Sequence, residues 1–129
     1  MATWQQVKEL IQSKYPTRVI DENFLRVELR ITETRSQILG IRKTTSQSNA
    51  EWVQVCSPIG LIPTEKLNDA LKKVNEIVFG GLVMMHDKHF LRECIPLSEI
   101  SSEGLITVIN VIVGFADEIE EEFLGVDTH

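Results

Sequence analysis

From Asn23 to Thr32 the chain reads NFLRVELRIT, in which Leu25, Val27, Leu29 and Ile31 alternate with Phe24, Arg26, Glu28 and Arg30. Side chains on a strand point to opposite faces with a period of two, so the stretch predicts a strand that buries only one face. Such a strand needs neighbours and a covering layer. SQILGIRKTT supplies a second strand, and after the polar turn SQSNAE the run EWVQVCSPIGLI supplies a third. In that third strand Val53 and Val55 share one face, and Trp52, Gln54 and Cys56 share the other. Links this short join antiparallel strands.

Helical periodicity brackets these strands. TWQQVKELIQSKYP carries Trp4, Val7, Leu10 and Ile11 at helical spacing, Thr3 and Gln6 fit a capping box, and Pro16 ends the helix. A second helix is expected after Ile62-Pro63, with Thr64 as N-cap and one apolar stripe of Leu67, Ala70, Leu71, Val74, Ile77 and Val78. Phe79-Gly80-Gly81 reads as its stop rather than as a phosphate cradle. GLVMMHDKHFLRECIPL then gives two extended runs around a polar centre. Ser101 or Ser102 caps a last helix that runs to about Leu124, with Gly125 as its terminating glycine. The order is α-β-β-β-α-β-β-α, an α+β fold with an antiparallel sheet of about five strands and helices mainly on one face. Leu25, Val27, Leu29 and Ile31 are expected to point towards Leu67, Leu71, Val74 and Ile112.

At 129 residues the chain, 1–129, is read as one domain. MATWQQVKEL places polar residues where a signal peptide has its apolar core. The longest apolar stretch, Gly104 to Ala116, falls well short of the ~20 residues that span a bilayer. A cytoplasmic protein with no membrane partner is expected. Cys56 and Cys94 form no Cys-x-x-Cys, lie in apolar runs and read as two reduced thiols. The formal net charge is -6, and Asp117, Glu118, Glu120, Glu121, Glu122 and Asp127 account for all of it. No Lys/Arg cluster tracks a helix or loop, which argues against nucleic acid as a partner.

MMHDKHF holds the two histidines that invite a metal or catalytic reading, the third being the terminal His129. Asp87-Lys88 reads as the tip of a β-hairpin, with His86 and His89 flanking a solvated turn. Two imidazoles fall short of the three or four protein ligands of a zinc site, so no metal is assigned. No nucleotide-binding glycine loop, Gly-x-Ser-x-Gly or His-Glu-x-x-His occurs. The carboxylates of DEIEEEF are spaced around a helix and read as solvent-facing. A non-enzymatic protein without catalytic residues or cofactor is expected. The alternative is a small-ligand or metal-binding domain that uses the His86/His89 hairpin and a pocket between helix and sheet.

On the last helix Leu105, Val108, Ile109, Ile112, Phe115, Ala116, Ile119 and Phe123 make one core-facing arc. Ile106, Val113 and Leu124 form a second stripe beside it. One face suffices for a surface helix, so either the helix is deeply embedded in its own domain or these three are candidate contacts to a second copy or a bound polypeptide.

From Val53 to Phe123 the pattern resembles the YbjN-like proteins, which share a fold with the type III secretion chaperones. The resemblance rests on the helix ending LNDALKKVNE, the strand GLVMM, a polar turn, the strand HFLRECIPL and a last helix ending in acids. It covers about the last 70 residues well and the remainder by order of elements. It implies a small, acidic, cytoplasmic, non-enzymatic protein, a homodimer that holds a client polypeptide or acts as a regulator. No binding residue carries over with it.

Overall fold

The structure, a computed structural model, describes residues 3–78 and 80–125; Phe79, Asp127 and His129 thus lie outside the described residues. The elements are α1 (Trp4–Lys14), β1 (Thr17–Asp21), β2 (Phe24–Arg30), β3 (Ser36–Thr45), β4 (Glu51–Gly60), α2 (Leu67–Val74), β5 (Gly81–Met85), β6 (Lys88–Pro96) and α3 (Ser102–Leu124). All strand pairings are antiparallel, in the order β1-β2-β3-β4-β6-β5. The fold is α+β, as the alternation and short links imply. Among the described residues it has six strands rather than about five, because β1 follows Pro16 directly and escapes the pattern. Thr17–Asp21 is an edge strand that buries none of its five residues, so no apolar alternation marks it.

Strand alternation decides which side of the sheet is covered. Leu25, Val27, Leu39, Ile41, Val53 and Val55 are fully buried, and they form one cluster with Trp4, Val7 and Ile11 of α1 and the inner side of α3. The expected caps hold both helices. Thr3 Oγ1 accepts from the Gln6 N–H at 3.1 Å, and the Gln6 side chain accepts from the Thr3 N–H at 3.2 Å. Ser101 Oγ accepts from the Gly104 N–H at 3.0 Å, and Gly125 ends α3 in the left-handed region at φ 75°.

The second helix departs from its expected form. Thr64 opens a 3-10 turn, Thr64–Lys66, and its side chain caps nothing; α2 then lasts only eight residues. Gly80 and Gly81 do not stop it, since it has already ended at Val74. Gly80 instead serves a close approach at φ 96°, where a Cβ would meet Ile112 Cδ1 at 3.1 Å. Within α2 only Ala70 and Val74 are buried, while Leu71 is 49% exposed. Leu71 is 100° round the helix from Ala70, and a two-turn helix touching α3 and β5 covers one edge, not a broad stripe. Leu71 is therefore no part of the core that Leu25 and Val27 face.

Candidate functional site

The face of the sheet that carries no helix among the described residues is built by the other half of each alternation. Cross-strand register sets its residues in rows. One row runs Arg18, Arg26, Gly40, Cys56, Arg92 and Gly81 from edge to edge. The next runs Phe24, Arg42, Gln54 and Cys94. On the other side Pro58, Phe90 and Val83 are in register, close to Ile38. None of these residues belongs to the buried cluster under α1 and α3.

Gly40 makes a notch in the middle of this face. A Cβ there would stand 3.0 Å from Phe24 Cε1, so glycine leaves room for the Phe24 ring to approach β3 this closely. The Arg42 guanidinium in turn sits 4.4 Å from the centroid of that ring. Around the notch opens a cavity of about 560 Å³, whose apolar walls are Phe24, Ile38, Pro58 and Phe90 and whose polar groups include Arg26, Arg42 and Gln54. Its volume is in the range of ligand sites.

The charge on this face runs against that of the protein. Arg18, Arg26, Arg30, Arg42 and Arg92 all belong to it, and Arg35 is the one other arginine of the sequence. Glu28 stands among them, and Asp21 at the β1–β2 turn accepts from the Asn23 N–H. Among the described residues none of Arg18, Arg26, Arg42 and Arg92 forms a salt bridge. Arg35 differs: it reaches α3 and places one nitrogen 2.6 Å from Asp117 and another 2.7 Å from Glu121. Cys56 and Cys94 are free thiols on the same open face. Burial pushes the Cys56 thiol up to about 11, with Arg92 and Arg42 opposing it, and burial also raises Cys94.

The arginine face escaped the search for basic clusters along helices and loops. Its signal is a period of two: Arg26 and Arg30 on one strand, Arg42 on the next, each on the parity opposite to the core residues. Reading charge by strand parity rather than by run length would have found it.

The hairpin histidines are not brought together. The turn is His86-Asp87, one residue earlier than expected, and both residues have positive φ, at 52° and 62°. His86 is exposed at the cavity rim, whereas His89 lies on β6 and is only 5% exposed. The Ile62 N–H donates to His89 Nδ1 at 3.0 Å, which ties β6 to the chain leaving β4. His89 is thus a buried structural acceptor and no part of a solvated turn. Among the described residues no three His, Cys, Asp or Glu side chains converge for a metal.

The second stripe of α3 is drawn into its own domain. Val113 is 1% exposed, and Ile106 and Leu124 are half-buried. Asp117, one turn beyond Val113, is buried against Arg35, and Glu120 is also buried. These two acids correct the expectation that the DEIEEEF carboxylates all face solvent. The β2–β3 connection carries Arg35 to that flank of α3, a long-range contact with no local signature.

No helix among the described residues is long and apolar enough to cross a membrane. No protein-family model and no curated protein matches the chain.

Proposed function

We propose that the protein is a non-enzymatic, cytoplasmic protein-binding module that holds an extended segment of a partner polypeptide on the open face of its sheet. The observation that carries this is the uncovered face itself, where Phe24, Ile38, Trp52 and Phe90 stand beside arginines without ion-pair partners among the described residues. Apolar surface with guanidinium groups suits a protein interface, where aromatic residues and arginine are enriched. The free thiols of Cys56 and Cys94 fit a reducing compartment. The resemblance to YbjN-like proteins and secretion chaperones points the same way.

The test is selection of a display library of random peptides on the immobilised protein. Enriched peptides should bind the parent and lose binding to Gly40→Leu, which fills the notch and displaces the Phe24 ring. A library with no enriched peptide, or peptides that bind Gly40→Leu equally well, would contradict the proposal.

A further inference from the structure

We propose that the segment held on this face is acidic, with carboxylates at positions i and i+4 and an apolar residue at i+2. The inference rests on the binding role proposed above and adds the chemistry and register of the partner. Charge complementarity is the first support. Five arginines share the face with Glu28 and Asp21, in a chain of net charge -6. Arg18 and Arg26 are directly opposed across β1 and β2, and opposed like charges are unfavourable until an anion lies between or over them. Guanidinium is also the side chain whose donor fork matches a carboxylate.

Geometry supplies the register. Arg26 and Arg92 lie in one row and are separated by Gly40 and Cys56. That is three inter-strand steps of about 4.8 Å, or about 14 Å. Four residues of extended chain at about 3.3 Å each cover about 13 Å. A segment crossing the strands therefore sets side chains i and i+4 over Arg26 and Arg92. Residue i+2, on the same side of the segment, falls over the notch at Gly40, walled by Phe24, Ile38 and Pro58.

Other occupants fit less well. Two copies meeting face to face would oppose two sets of arginines. One copy's acidic α3 placed on another's sheet is a head-to-tail contact that continues as a filament unless it closes. A nucleic acid finds arginine and aromatic rings here, yet the net charge of -6 repels a long polyanion. It also has no use for an apolar notch lying between two cations.

The deciding experiment sequences the peptides, each about twelve residues long, that the parent protein selects from a random library. The inference expects Asp or Glu four apart around an apolar residue, enriched at least about threefold over the input library. Synthetic copies should bind about tenfold more weakly to Arg26→Gln and to Arg92→Gln, both checked for a melting temperature no lower than the parent's, and should weaken as salt rises. Selected peptides with acids at or below input frequency overturn the inference and leave the binding role standing. Acids enriched at no fixed spacing overturn the register. Absence of any selected peptide removes the binding role and the inference with it. Displacement of selected peptides by an equal concentration of oligothymidylate of about 20 nucleotides assigns the face to nucleic acid and overturns the inference.

Discussion

Arg18 and Arg26 stand directly opposite each other across the β1–β2 ladder, on the face that no helix among the described residues covers. A fold selected for stability alone has no reason to oppose two cations there. Replacing Arg26 with threonine, a good strand residue, should stabilise the free protein by about 0.2–1 kcal/mol while weakening partner binding. Urea denaturation of parent and variant checks the first half. A variant less stable than the parent would mean that the two guanidinium groups do not repel.

Leu71 and Leu91 separate the periphery of the fold from its core. Leu71→Ala should cost less than about 1 kcal/mol, because that side chain is half in solvent, and Leu91→Ala, fully buried, should cost about 2–5 kcal/mol. Chemical denaturation of the two variants under one set of conditions decides this. Equal losses would place Leu71 in the core after all.

How far the sequence led differs from element to element. Strand β2, the caps of α1 and α3 and the core side of β4 are written in local periods and capping residues, and each appears where those periods put it. What local pattern does not hold is long-range register. Arg35 meets Asp117 across 82 residues of chain, and Asp117 is buried in that contact, one turn beyond the buried Val113. The Ile62 N–H finds His89 across 27 residues, which turns a hairpin histidine into a buried acceptor. The arginine row has the same origin, since only the register of β1, β2, β3, β4 and β6 lines up Arg18, Arg26 and Arg92.

The hairpin should respond unequally to its two histidines. His89→Ala leaves the buried Ile62 N–H without its acceptor and should cost about 1–3 kcal/mol. His86→Asn with Asp87→Gly, the residue pair suited to two positive φ angles, should raise the melting temperature by a few degrees. Thermal melts followed by circular dichroism check both. A silent His89→Ala would contradict the bond to Ile62.

Arg35 should matter through Asp117 rather than Glu121. The Asp117 side chain is 7% exposed and that of Glu121 64% exposed, so losing Arg35 strands one buried carboxylate and one solvated one. Arg35→Met should lower the melting temperature by about 5 °C or more, and Glu121→Gln should change it by about 1 °C. Comparable shifts for the two variants would contradict this division.

Cys56 should be a poor nucleophile in the folded protein. With its thiol raised from 9.0 to about 11, the thiolate fraction at pH 8 is about 100-fold below that of an ordinary cysteine. Alkylation at that pH should slow in proportion and speed up on unfolding. The folded pKa is the higher one, so this group's stabilising contribution is complete below about pH 9 and is lost as pH rises towards 11.

The most direct test of the open face as the binding surface is an amide chemical-shift titration of the labelled protein with a peptide from the enriched pool. Shifts should concentrate on Phe24, Arg26, Gly40, Cys56 and Arg92, in β2, β3, β4 and β6. Shifts confined to α2 and α3, or to the β1 and β5 edges, at saturating peptide would contradict it.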